Sequence, residues 1–330
     1  MTALIKGADW LVEGAAELAY KLGISKIIVG ATVISLGTTS PEAAVSVMAA
    51  WSGNPGLALG NAVGSVIADT GLIFGIGCLM VTLPADKYIL TRQGWVQFGS
   101  AILLAALCYG AFILRGDAAV LSRGVGLMML VLLVGYMIAS VRWSRNHPGA
   151  HLAEEKSADE KSASNRSAWI LTGLIVIGII IVIFASRFLI CSVSVVAVRW
   201  GVPQVVIAAT LVAMGTSLPE LVVGITSIVK GHKELLLGNV IGADILNVLF
   251  VIGASATAAH LPIIEVGSTV PRIFLYLHLP AMILILTLFR IYIAAANRSG
   301  RFRRWYGLPL VAIYIVYVVA QFLLSTGGAG

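Results

Sequence analysis

Two short stretches set oxygen-bearing side chains around a proline inside long apolar runs. The first, LGTTSPEAAVSV (36–47), holds Thr38, Thr39, Ser40, Pro41 and Glu42. The second, MGTSLPELVVGI (214–225), holds Thr216, Ser217, Pro219 and Glu220. Proline has no N–H, so a helical carbonyl four residues back, that of Gly37 or Gly215, loses its partner. In hydrocarbon such freed backbone is tolerated only where it is buried in protein or lines a cavity. Carbonyls, hydroxyls and a carboxylate within one turn are all oxygen donors, the ligands that hard cations such as Na⁺ and Ca²⁺ take. Two further stretches add to the set. LGNAVGSVIAD (59–69) spaces Asn61, Ser65 and Asp69 by four, on one helical face. LGNVIGADILN (237–247) repeats those offsets with Asn239, Ala243 and Asn247, and adds Asp244.

The elements that must position these residues are transmembrane helices. Of 330 residues, 59% are hydrophobic and 11% charged, against about 25% charged in soluble domains. Apolar runs long enough to span a bilayer recur, 168–186 most clearly. The short alternating segments of a β-barrel are not seen. The sequence predicts an all-α integral membrane protein of ten helices. Spans fall near 1–20, 27–50, 57–80, 95–114, 122–141, 168–199, 204–228, 235–259, 270–290 and 307–325. Five precede and five follow a polar segment, giving a first half over 1–141, a linker over 142–167 and a second half over 168–330. The cation motifs occupy 37–69 and 215–247. Cys78, Cys108 and Cys191 lack metal-ligand spacing and read as small packing residues.

The net charge of +7 is a topology signal rather than a nucleic-acid surface. With the linker in the cytoplasm, sixteen of the 22 basic residues face that side. Four, Arg115, Arg123, Arg199 and Arg272, face the other, and Lys6 and Arg187 are ambiguous. This bias follows the positive-inside rule and predicts a plasma (inner) membrane protein with both termini outside. The first span is awkward, because Asp9, Glu13 and Glu17 share one face that must look into protein or water. It also has some sixteen fewer apolar residues ahead of its matching point than the sixth. That points to an upstream start or an incomplete crossing. His232, in KGHKE, reads as a solvated loop residue.

The motifs belong to an internal repeat. Shifted by 178, Gly23–Gly75 aligns with Gly201–Gly253 without a gap, and sixteen of the 53 pairs are identical. An odd number of spans per half makes equivalent helices run in opposite directions. This inverted-topology repeat is common in secondary transporters, whose sites lie at the midplane. A lone proline in a span is usually a kink, but two Pro–Glu pairs at equivalent positions point to a site. Asn61 and Asn239 are further candidate cation ligands, which bonds between helices would explain equally well.

GTTSPE with GNAVGSVIAD, and GTSLPE with GNVIGADILN, resemble the two α-repeats of the sodium/calcium exchanger branch of the calcium:cation antiporter superfamily. GADWLVEGA with LGIS, residues 7–15 and 22–25, is similar to that branch's first span. The resemblance implies ten helices, no cofactor, and Ca²⁺ exchanged for Na⁺ at a central site. It implies Glu42 and Glu220 as the main cation carboxylates, with Thr38 and Thr216 completing the calcium position. It implies Thr39, Ser217, Ser65, Asp69, Asn247 and the carbonyls of Ser35 and Ala213 at flanking sodium positions. Ala243, where the pattern has serine, departs from the family, as does the extra acid Asp244. They leave H⁺-coupled Ca²⁺ or other cation antiport as the alternative. A cation channel fits an antiparallel internal repeat poorly. A non-transporting scaffold has no use for paired intramembrane acids. The expected partners are the ions and the lipid bilayer, with no nucleic acid and no evident protein partner.

Overall fold

A computed structural model describes residues 2–146, 166–199, 215–264 and 272–327. They are helical almost throughout: α1 Thr2–Leu22, α2 Lys26–Thr38, α3 Ser40–Trp51, α4 Pro55–Met80, α5 Lys87–Arg115, α6 Arg123–Arg145 and α7 Ala168–Arg199. Then come α8 Leu218–Val229, α9 Lys233–Ala258, α10 Phe274–Ser299 and α11 Gly307–Gly327. Seven of these regions, those of α4 to α7 and α9 to α11, are long and apolar enough to cross a membrane. Helix α1, with Lys6, Asp9, Glu13, Glu17 and Lys21, is too charged to be one of them. Helices α2 and α3 form one apolar stretch broken at Thr39, and the segment ahead of α8 lies outside the described residues, as does most of the expected linker.

The repeat seen in the sequence recurs in the backbone at the same offset of 178. Helices α3 and α8 match residue for residue. Each ends in a turn with a left-handed glycine, Gly53 at φ 75° and Gly231 at φ 81°. Helices α4 and α9 match in turn, and both widen into a π segment, Asp69–Phe74 and Asn247–Ile252. Two-residue strands follow, β1 Leu83–Pro84 and β3 Leu261–Pro262. Strand β1 pairs antiparallel with β4, Arg301–Phe302, and β3 with β2, Val120–Leu121. Each equivalent strand is therefore tied to an element from the other part of the chain.

Helix α9 is the most enclosed, with every residue from Leu235 to Leu246 buried. It packs with α3 to α6, α10 and α11 in one continuous apolar core. Helices α5, α6, α7, α10 and α11 turn large apolar side chains outward, among them Trp95, Val131, Phe184, Tyr276 and Val316. Such an outside suits lipid, where only satisfied backbone survives. Helices α1 and α7 form a second, smaller layer against α2 and α8. They approach through Gly7 and Gly178, where a methyl at Gly7 would lie 2.9 Å from Ile181 Cβ.

The acids of α1 find cations that lie far off in sequence. Lys230, in the turn between α8 and α9, pairs with Glu13 at 2.6 Å and Asp9 at 3.3 Å. Arg166 pairs with Glu17 at 3.4 Å. His232, expected to be solvated, is instead half-buried at the head of α9. Burial, with Lys26 and Lys230 nearby, pushes its imidazole down to about 4, and Glu13 only partly opposes this. The fold thus favours the neutral ring, and the unfolded chain binds more protons below the ordinary value of about 6.5. Stability is lost as pH falls through that window toward 4. His232→Gln is expected to shrink the drop in melting temperature of the detergent-solubilised protein between pH 6.5 and 4.5. An equal drop in the variant would refute this.

Candidate cation site

The break predicted at the first Pro–Glu pair lies two residues ahead of the proline. Helix α2 stops at Thr38, and α3 starts at Ser40 with Pro41 in its first turn. Proline fits there because a first-turn N–H has no helical partner to lose. Glu42 then sits in that first turn, where the helix dipole favours negative charge. The second pair has the same build: Ser217 stands just ahead of α8, Pro219 is in its first turn, and Glu220 follows.

Both carboxylates are buried, Glu42 at 1% and Glu220 at 2% exposure. Thr39 Oγ1 donates to Glu220 Oε1 at 3.3 Å, which joins the first Pro–Glu turn to the second. Glu220 Oε2 and both oxygens of Glu42 are buried without a hydrogen-bond partner among the described residues. Such groups are rare in folded proteins and point to an ion or water.

Around them, hydrogen bonds join residues related by the repeat. Thr38 Oγ1 donates to Asn239 Oδ1 at 3.4 Å. Its equivalent, Thr216 Oγ1, donates to Asn61 Oδ1 at 3.3 Å. Asn247 Nδ2 donates to Asp69 Oδ2 at 3.4 Å, and these two are each other's equivalents. A residue that bonds its own repeat equivalent lies where the two motifs meet. Each member of that pair also opens a π segment, a feature often found at functional sites.

The remaining candidates are placed as follows. Asn61 Nδ2 also donates to Ser46 Oγ at 3.0 Å and the Glu42 carbonyl at 3.4 Å, bracing α3 on α4. Ser65 is buried on α4, one turn before Asp69. Ser217 Oγ is buried and unpartnered among the described residues. The Ser35 carbonyl accepts from Thr39 N at 2.8 Å and Thr38 Oγ1 at 3.4 Å. Its hydroxyl, which the sequence reading did not single out, is the buried and unpartnered atom. Ala213 lies outside the described residues. The sequence reading also missed Gln97 and Thr70, which hold Asp244, and Gln93, which meets Tyr136 and Ser140. The signal for the glutamines was their spacing of four in an apolar run. Among the described residues no three His, Cys, Asp or Glu converge to hold a metal alone. Hydroxyl, amide and backbone oxygens would have to complete any coordination shell.

A largely helical chain with seven helices able to cross a membrane, and two repeat-related buried carboxylates with no Lys or Arg partner among the described residues, has the build of a membrane transport protein. More narrowly, the chain belongs to the sodium/calcium exchanger protein family, which it matches over residues 1–142 and 170–323. That family consists of exchangers and is not an enzyme class. The chain is 27% identical to the sodium/calcium exchanger MaX1 of Methanosarcina acetivorans, over 97% of this chain and 96% of that one. It is 29% identical to the putative antiporter CaxA of Alkalimonas amylolytica, over 78% of each. A solved structure of the sodium-calcium exchanger NCX_Mj superposes with a TM-score of 0.76 at 26% identity, covering 97% of this chain and 95% of that one. Together these likenesses support a cation/Ca²⁺ antiporter.

Proposed function

We propose that this protein is a secondary active antiporter that exchanges Ca²⁺ for Na⁺ by alternating access, with Glu42 and Glu220 as the principal cation carboxylates. The observation that carries this reading is the pair of buried Pro–Glu turns, joined by Thr39, with three of four carboxylate oxygens unpartnered among the described residues. A buried ion without a counter-charge costs several kcal/mol, and one divalent cation neutralises both groups. Thr38 and Thr216 supply further oxygens. Thr39, Ser217, Ser65, Asp69, Asn247 and the carbonyls of Ser35 and Ala213 provide flanking sodium positions. Asn61 and Asn239 brace the two repeats.

The halves 1–141 and 168–330 are inverted repeats of five crossings each, joined by a cytoplasmic linker over 142–167. The site lies at the midplane between them. The separate layer of α1 and α7 supports a sliding gate, because it packs on α2 and α8 rather than in the main core. Without cations, the unneutralised acids resist reorientation across a dry barrier. Bound cations lower that barrier, and competition of Na⁺ and Ca²⁺ for the same carboxylates couples their movements.

The test is Ca²⁺ uptake into proteoliposomes of purified protein at matched membrane potential. An outward Na⁺ gradient is expected to drive uptake, and a pH gradient alone is not. Uptake driven only by the pH gradient would replace Na⁺ by H⁺ as the coupling ion, the reading that Ala243 and Asp244 favour. No uptake under either gradient by folded protein would overturn calcium antiport.

A further inference from the structure

Asp244 is a core acid that the Glu42–Glu220 pair leaves unused. It is 1% exposed, one turn ahead of Asn247 on α9. Its Oδ2 accepts from Thr70 Oγ1 of α4 and Gln97 Nε2 of α5, each at 2.5 Å. Two donors on one oxygen fix the orientation of the carboxyl group. The other oxygen, Oδ1, is buried and has no hydrogen-bond partner among the described residues. Asp69 Oδ1 and Asn247 Oδ1 are in the same condition. Those two residues are hydrogen-bonded to each other, and Thr70, which donates to Asp244, directly follows Asp69 on α4. Among the described residues, the ion pairs formed by Lys and Arg do not include Asp244.

The fold does not need this polar group. At the repeat-equivalent positions Asp244 and Thr70 are replaced by Val66 and Val248, both buried. Packing alone serves there. A carboxylate without counter-charge at this depth is costly, so its use is to hold something positive. Ca²⁺ takes six to eight oxygens, and here one Asp244 oxygen is already committed to two donors. The three oxygens without a partner among the described residues suit an ion of lower charge.

We propose that Asp244, positioned by Thr70 and Gln97, forms with Asp69 and Asn247 a binding position for a monovalent cation beside the Glu42–Glu220 pair. The proposal rests on the antiporter reading above and adds a residue to its monovalent-ion machinery. Asp244 sets how strongly the carrier responds to the monovalent ion, separately from its grip on Ca²⁺.

The test is thermal unfolding of the purified full chain, titrated with NaCl, LiCl or KCl against choline chloride, and separately with CaCl₂. At least one monovalent cation is expected to raise the wild-type melting temperature. Asp244→Asn should move that ion's midpoint at least about tenfold, a loss of about 1.4 kcal/mol of binding, and move the Ca²⁺ midpoint far less. Glu42→Gln should lose the Ca²⁺ response and keep a monovalent response, whose midpoint the added Asp244→Asn should move by a similar factor. Unchanged monovalent titrations in Asp244→Asn would overturn the proposal and leave Asp244 as a neutral or purely structural acid. If that variant does not fold, Thr70→Val keeps the carboxylate and removes one positioning donor. Its monovalent midpoint should move at least about threefold, and an unmoved one overturns the proposal equally. A wild-type protein that answers Ca²⁺ but no monovalent ion overturns it while sparing the calcium reading. A wild-type protein that answers neither overturns both.

Discussion

Glu42→Gln and, separately, Glu220→Gln are expected to bring Na⁺-driven Ca²⁺ uptake down to the level of protein-free liposomes. Removing one charge from a buried ionic set costs about 3–5 kcal/mol, which is roughly 150- to 4,000-fold in affinity. The amide keeps the shape of the side chain and changes the charge, so the fold should survive. It should even gain, because Glu42 has two buried oxygens without a partner among the described residues. A neutral amide there is less costly than a carboxylate. The Ca²⁺-free melting temperature of Glu42→Gln should therefore equal or exceed wild type. Glu220→Gln should gain less, since Thr39 already donates to Glu220. Both variants should lose the rise in melting temperature that Ca²⁺ gives the wild type. Flux near wild type in either variant would remove that residue from the site.

Much of this was legible in the sequence, for reasons that differ by element. The offset of 178 showed the repeat because chemistry and backbone demand the same residues twice, and the backbone follows it through α3, α4, α8 and α9. The helix break was legible because proline acts locally. The partners of the α1 acids were not. Lys230 lies 217 residues beyond Glu13 in the chain, and no local rule connects them. The fourth span was expected from residue 95, yet α5 starts at Lys87. Arg92, Gln93 and Gln97 lower the hydropathy of that stretch. In the fold the two glutamines are buried and satisfied, by Tyr136 and Ser140 and by Asp244. A polar residue with a tertiary partner reads in sequence like one that needs water. The π segments that start at Asp69 and Asn247 were equally hidden, since helices buried on nearly all sides show no polar face whose phase a widened turn would shift.

Gly238→Ala is expected to have the largest effect of any single methyl added in the core. Helix α9 meets α2 backbone to backbone at this point. A Cβ on Gly238 would overlap the Ile27 carbonyl oxygen, lie 2.9 Å from the Ile27 carbonyl carbon and 3.0 Å from Ala31 N. None of these atoms can rotate aside, so a whole helix must move. Overpacking usually costs about 1–3 kcal/mol, and a backbone obstacle places this change at the upper end. The displacement also reaches the candidate site. Asn239, the next residue, holds Thr38 at the other end of α2. A shift large enough to admit the methyl pulls that contact apart and moves the start of the turn that carries Glu42. The expected result is a melting temperature lower by several degrees, together with weaker Ca²⁺ stabilisation of the fraction that remains folded. Gly135→Ala is the matched control: Gly135 lies on the exposed face of α6, and a Cβ there meets nothing within 4 Å among the described residues. It adds the same methyl and the same helix propensity, so it should melt at or above the wild-type temperature. If Gly238→Ala melts and transports like Gly135→Ala, α2 and α9 are not packed as closely as described. The placement of Thr38 against Asn239 would then have to be abandoned.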